Sequence, residues 1–265
     1  MPFVDDTAVR RVGETRFEAE IADRRWWVVR GPNGGFVAAL VVNALTAALG
    51  DPGRPIRSLS IHYPAAPDVG ALAIEVRVER VGRTTAYLSA RASQEGSLVA
   101  LALAAFSSAF PGPGFQTARM PTLPPPEEVE PQTLPGAPTF TENFEYRFAL
   151  GGPPFQEGEE AATGGWLRLR EPAALDAALA TTYADAWPPA VFWRLPTFAI
   201  VPTIDLTVHF RELPSGYDDF VLATFDSRRE HDGLWEENGE LWTRDGRLLV
   251  QSRQLAAHIP PPATP

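Results

Sequence analysis

Ser58-Leu59-Ser60-Ile61-His62-Tyr63 recurs as Asp205-Leu206-Thr207-Val208-His209-Phe210, and in each copy a helical stretch lies upstream and long strands lie downstream. Repetition of a whole helix-then-sheet unit narrows the fold more than any local signal does. The first helix opens at Gly31-Pro32-Asn33-Gly34-Gly35 and continues from Phe36 to Leu49, apolar almost all round. A helix without a polar face is a buried helix, so a sheet must surround it.

Working outward from the first copy, Phe17–Ile21 and Trp26–Val29 read as short strands. Ser58–Tyr63, Ala71–Val81, Thr84–Ser93 and Leu98–Phe110 follow the helix as four strands separated by turn-forming residues. From Pro111 to Pro138 the composition shifts to Pro, Gly, Thr and Glu, the mark of an extended connector. The second copy repeats the order, with strands at Phe140–Ala149 and Gly165–Arg170 and a helix over about Pro172–Trp187, closed by Pro188-Pro189. Strands at Val201–Arg211, Phe220–Arg229, Leu234–Thr243 and Arg247–Ile259 complete it. The expected organisation is a first repeat over 1–110, a linker over 111–138 and a second repeat over 139–265. Two curved antiparallel sheets, each wrapped round a long central helix and paired edge to edge, make an α+β double hotdog.

Composition removes several chemistries. The 265 residues contain no cysteine and no lysine, which excludes thiolate, Schiff-base and P-loop sites. A net charge of -10 argues against nucleic acid or an anionic membrane as partner. Phe36–Leu49 is shorter than the ~20 residues that span a bilayer. Met1–Asp6 lacks the basic-then-apolar order of an export signal. The expectation is a soluble cytoplasmic protein. There is no metal-binding motif and no Gly-x-Ser-x-Gly elbow.

At Gly31–Leu49, Asp205–Arg211 and Asp245–Gln254 the sequence resembles the acyl-CoA thioesterase II family and its thioesterase-like relatives, over nearly the whole chain. Asn33-Gly34-Gly35, Gly165-Trp166-Leu167-Arg168 and Arg253-Gln254-Leu255-Ala256 carry the resemblance in this order. It implies a double hotdog that hydrolyses acyl-CoA thioesters without a cofactor. It also implies that the second repeat supplies an Asp, a Thr or Ser, and a Gln to hold the attacking water, and that the first repeat supplies a helix N-terminus. The Asp falls on Asp205 and the Gln on Gln254, while the hydroxyl position falls on Arg228, a departure from the pattern.

Read physically, Asp205, Thr207 and His209 alternate along one strand and share a face. A desolvated carboxylate there suits general-base work, and Ser58 occupies the matching position of the first copy. Gln254 can orient a water. Asn33, Gly34, Gly35 and Phe36 form the substrate end, where free amides at a helix N-terminus can hold a thioester oxygen gaining charge. His62 and His209, at matched positions, read as packing residues. Two other readings stand beside hydrolysis: an acyl-thioester binding protein without turnover, suggested by Arg228, and a hydratase or dehydratase using Asp205 with His209. The duplication supplies internally the pairing that single hotdogs gain by dimerising, and leaves assembly into a homo-oligomer open.

Overall fold

The computed structural model describes residues 2–133 and 136–259; Leu134, Pro135 and the last six residues, which the linker and second repeat were expected to include, lie outside them. A short α1 (Phe3–Asp6), β1 (Val9–Arg11) and β2 (Arg16–Ile21) lead into α2 (Gly34–Leu49), followed by β3 (Ile56–His62), β4 (Gly70–Val81), β5 (Thr85–Gln94) and β6 (Ser97–Ser107). The second half runs β7 (Phe144–Leu150), β8 (Ala161–Leu169), α3 (Ala177–Tyr183), β9 (Thr203–Phe210), β10 (Val221–Ser227), the two-residue β11 (Glu230–His231), β12 (Leu234–Trp242) and β13 (Leu248–Ala257). Among the described residues no helix is long and apolar enough to cross a membrane.

All thirteen strands form one sheet, in the order β1-β2-β4-β5-β6-β3-β9-β13-β12-β10-β8-β7 with β11 on β12. The order reads the same from either end once repeat-mates are matched. The duplicated motif itself makes the central seam: Ser58 pairs with His209, Ser60 with Thr207 and His62 with Asp205, antiparallel. Each copy thus pairs with the other about a local two-fold axis, the self-complementary contact expected of a closed dimer. Leu59 and Ile61 face the core with Leu206 and Val208, all nearly inaccessible.

The register also matches positions deep in the two halves. Leu59 lies opposite Ala104, which lies opposite Leu88. Its repeat-mate Leu206 lies opposite Gln254, which lies opposite Glu237. Where the first half buries an apolar pair, the second buries an amide and an acid.

The helices are not equivalent. The sixteen residues of α2 start under an Asn33 cap, whose Oδ1 accepts from the Phe36 amide, and stop at Gly50 in the left-handed conformation. The second helix is shorter than the expected 172–187: α3 has seven residues, because Asp176 rather than Pro172 caps it and the chain turns after Tyr183. A 3-10 turn at Ala190–Trp193 fills the remaining space, packing Val191, Phe192 and Trp193 against Trp235 and Ala256. Trp26–Val29 is a turn rather than a strand, closed by Val28 N–H on the Gly31 carbonyl, and its bulky residues are explained by Trp26 stacking on Phe36 at 4.9 Å. The connector is a strap as well as a link. Ala118, Met120, Leu123 and Val129 pack on Trp166, Phe220, Leu222, Trp242 and Leu248, and the Trp166 indole donates to the Pro124 carbonyl.

Candidate active site

The N-terminus of α2 meets the C-terminal end of α3, and small residues allow the approach. A Cβ on Gly35 would lie 2.9 Å from Asp185 Cβ and 3.0 Å from Thr182 Cα, so only glycine fits. Asp185 Oδ2 accepts from the Gly35 amide at 2.8 Å and from Asn33 Nδ2 at 3.0 Å. Phe36 N–H goes to Asn33 Oδ1 and Val37 N–H to the Asn33 carbonyl. Of the first four amides of α2, Gly34 N–H alone has no partner among the described residues, and Gly34 keeps accessible surface. The Gly34 carbonyl accepts from Tyr63 Oη at 2.9 Å.

An acid of the second half thus reaches amides of the first, but it is Asp185, which sequence reading had folded into a longer helix. Burial raises its pKa to about 6, against the lowering effect of the Gly35 and Asn33 donors. Burial first, then the charges of Asp185 and Asp205, hold the Tyr63 phenol well above its usual value, so Tyr63 stays a donor.

Asp205 is partly accessible, its charge bears on Tyr63, and its carboxylate makes no hydrogen bond or ion pair among the described residues. It stands opposite His62 and Leu255, whereas Gln254 stands opposite Leu206. Strand alternation therefore sets Asp205 and Gln254 on different faces, and the structure does not bring these two together by a direct contact. A bulge between Leu255 and Ala256 instead carries Thr203 to Gln254, with Thr203 Oγ1 donating to Gln254 Oε1 at 2.9 Å. The hydroxyl absent at Arg228 is thus supplied from β9. Arg228 lies beyond the end of β10 with a side chain 79% exposed, in an ion pair with Asp226.

Gln254 has a second partner that the sequence had not singled out. Its Nε2 donates to Glu237 Oε1 at 2.6 Å, and Glu237 Oε2 accepts the Ala190 amide at 2.6 Å. Glu237 is 3% exposed and Gln254 7%. Burial raises the Glu237 pKa to about 8; the Ala190 and Gln254 donors oppose the shift and the charges of Asp185 and Asp226 add to it. The signal was present in the alternation Trp235, Glu237, Gly239, Leu241, which turns Glu237 to the inner face with Trp235 and Leu241. His62 and His209 are exposed, on the face away from the helices, and so pack no core. Phe36 is buried against Trp26 as part of the core.

Comparison with known proteins agrees with this architecture. The sequence pattern of the acyl-CoA thioesterase N-terminal domain matches residues 23–107 and that of the acyl-CoA thioesterase C-terminal domain matches residues 120–257. The chain belongs to the acyl-CoA thioesterase family. Among solved structures, a conserved hot dog protein of unknown function from Alicyclobacillus acidocaldarius superposes with a TM-score of 0.89 at 26% identity, over 98% of each chain. A protein from Thermobifida fusca described as a candidate thioesterase II has a TM-score of 0.86 at 25% identity, over 97% of each chain. The acyl-CoA thioesterase II TesB2 of Mycobacterium marinum shares the fold, with a TM-score of 0.82 at 19% identity, over 99% of this chain and all of the other. A comparison with curated protein sequences finds no match.

Proposed function

We propose that the protein hydrolyses acyl-CoA thioesters by direct attack of water at the N-terminus of α2. The observation that carries this reading is the Gly34 amide, unpartnered among the described residues, at the start of a sixteen-residue buried helix, with Asp185 of the other half held on the next amide, Gly35, at 2.8 Å. A thioester oxygen that gains charge in the tetrahedral intermediate would accept from Gly34 N–H, at the positive end of the helix dipole. Asp185 acts as general base: the Gly35 amide and Asn33 hold its Oδ2 at the helix end, and burial raises its pKa to about 6, close to the pH at which a base must work. Gln254 orients that water. The thiolate of coenzyme A departs on collapse of the intermediate, so no covalent enzyme species and no cofactor are needed. The acyl chain would lie among the apolar side chains beside the helices.

A second assignment of the base is Asp205, the residue on which the family pattern falls: its carboxylate makes no hydrogen bond or ion pair among the described residues, although strand register sets it opposite His62. The test is turnover of acyl-CoAs of graded chain length by the wild type, Asp205→Asn and Asp185→Asn. Loss of ~10²–10⁴ in kcat in one variant only identifies the base. Tight binding of acyl-CoA by the wild type with no release of free thiol would instead mark a binding protein and reject hydrolysis.

A further inference from the structure

We infer that Glu237 is a positioning residue: its carboxylate holds the Gln254 amide with the carbonyl turned toward β9. The inference rests on the hydrolase reading above and names a residue that this reading does not require. Both Glu237 oxygens are engaged, one by the Ala190 amide and one by Gln254 Nε2, each at 2.6 Å. The far end of Gln254 accepts from Thr203 at 2.9 Å. An amide has two ends of nearly the same shape, so its partners decide which way it faces. Here an acceptor stands at one end and a donor hydroxyl at the other. That fixes Gln254 Oε1 on the β9 side, with its second lone pair left to accept a hydrogen bond from the attacking water. The opposite orientation would offer the water a donor and occupy the lone pair with which it attacks.

The pair is not needed to build the fold. The matching positions of the first half are Leu88 and Ala104, fully packed and apolar, on the same sheet face. Replacing a buried polar pair by well-packed apolar residues is often neutral or stabilising, so an acid kept at 3% exposure calls for a reason other than stability. The groups bearing on Glu237 are two carboxylates, Asp185 after α3 and Asp226 on β10, and two donors, Ala190 N–H and Gln254. No cation is bonded to it among the described residues. As Glu237 protonates it becomes a donor to Gln254 and reverses the amide. The carboxylate form, populated as pH rises through about 8, is the productive one.

The test is Glu237→Gln. The Ala190 amide can only donate, so the new side chain must turn its oxygen there and its NH₂ to Gln254, which then inverts. Expected are a fall of ~10²-fold in kcat from misplacement of the water and a KM within about twofold because substrate contacts are untouched. The wild-type rise in kcat/KM through pH 8 should be absent in the variant. Thr203→Val, which removes the other hold, should lower kcat by ~10-fold and serves if Glu237→Gln folds poorly. An active wild type with unchanged kcat and an unchanged pH profile in Glu237→Gln would overturn this role alone. A wild type that turns over no acyl-CoA would overturn the hydrolase reading and this role with it.

Discussion

The two halves of the molecule share a strand order and differ in what they bury. The first half keeps a long helix with a capped N-terminus and an apolar sheet, with Leu88 and Ala104 at 0% and 1% exposure. The second shortens its helix to seven residues and sets Asp185, Glu237 and Gln254 into the space, with Asp205 at the seam. Their outer faces differ too. The strap from the connector covers the second sheet, while the first leaves Val78, Val81, Tyr87 and Leu103 exposed. Duplication supplies two copies of each position, and one copy is then free to exchange packing for chemistry. One half has kept the amide donors and the other has gained the acids.

The comparison can be broken at several places. The largest effect is expected at Gly34→Pro. Proline at a first helical position keeps the helix, and Asn33 already has the extended backbone that precedes proline (φ -53°, ψ 139°). The substitution deletes the one amide of the first helical turn that is free among the described residues and sets a Cβ 3.0 Å from Asp185 Oδ2, so kcat for acyl-CoA hydrolysis should drop ~10²–10³-fold with a modest fall in the melting temperature. An unchanged kcat would remove Gly34 from the site.

Transplanting the first half's pair, as Glu237→Leu with Gln254→Ala, should give a folded protein at least as stable as the wild type that has lost turnover. A chain that fails to fold would show that the acid and amide serve architecture. Next in size is a pH effect. Both raised carboxyls are protonated more readily in the folded chain than in the unfolded one, Asp185 near 6 against 3.8 and Glu237 near 8 against 4.5. Their contribution to stability is therefore full below about pH 4 and fades as pH rises toward 8. The melting temperature of the wild type should fall over that window, and that of the Leu/Ala variant should fall less; parallel curves would contradict the burial of Glu237. The smallest effect is expected at Arg228→Thr. It restores the hydroxyl of the family pattern at an exposed place, where the lost ion pair is worth about 0–1 kcal/mol, and Thr203 already serves Gln254. Activity should stay within twofold, and a large gain would show that Arg228 does reach the site.

Much of this was legible in the sequence. Alternation marked the strands, and the motif shared by Ser58–Tyr63 and Asp205–Phe210 placed the seam, because one buried face fixes register. The all-apolar run placed α2. Local pattern failed where tertiary contact decides. Ala173 to Ala184 has helical composition throughout, yet only the part capped by Asp176 is helix. Trp26 and Trp27 read as strand because bulky residues do, although a turn delivers Trp26 onto Phe36. Of the candidate site, Gln254 and the Asn33–Gly35 turn were named from sequence, as was Asp205, which the strand register sets opposite His62 on the outer face. Asp185 was hidden within the overlong helix, and Glu237 was passed over beside Glu236. Neither pairing, Asp185 with Gly35 or Glu237 with Gln254, is near in sequence, being separated by 150 and 17 residues.

The division of labour between the halves is tested most directly by two acids of the second half, Asp185→Asn at the helix end of the first half and Asp205→Asn opposite His62 on the outer face of the seam. With acyl-CoA substrates, kcat should fall ~10²–10⁴-fold for Asp185→Asn, as for loss of a general base, and stay within about twofold for Asp205→Asn. Full activity in Asp185→Asn, or loss confined to Asp205→Asn, would contradict the claim that an acid of the second half works on the helix end of the first through Asp185.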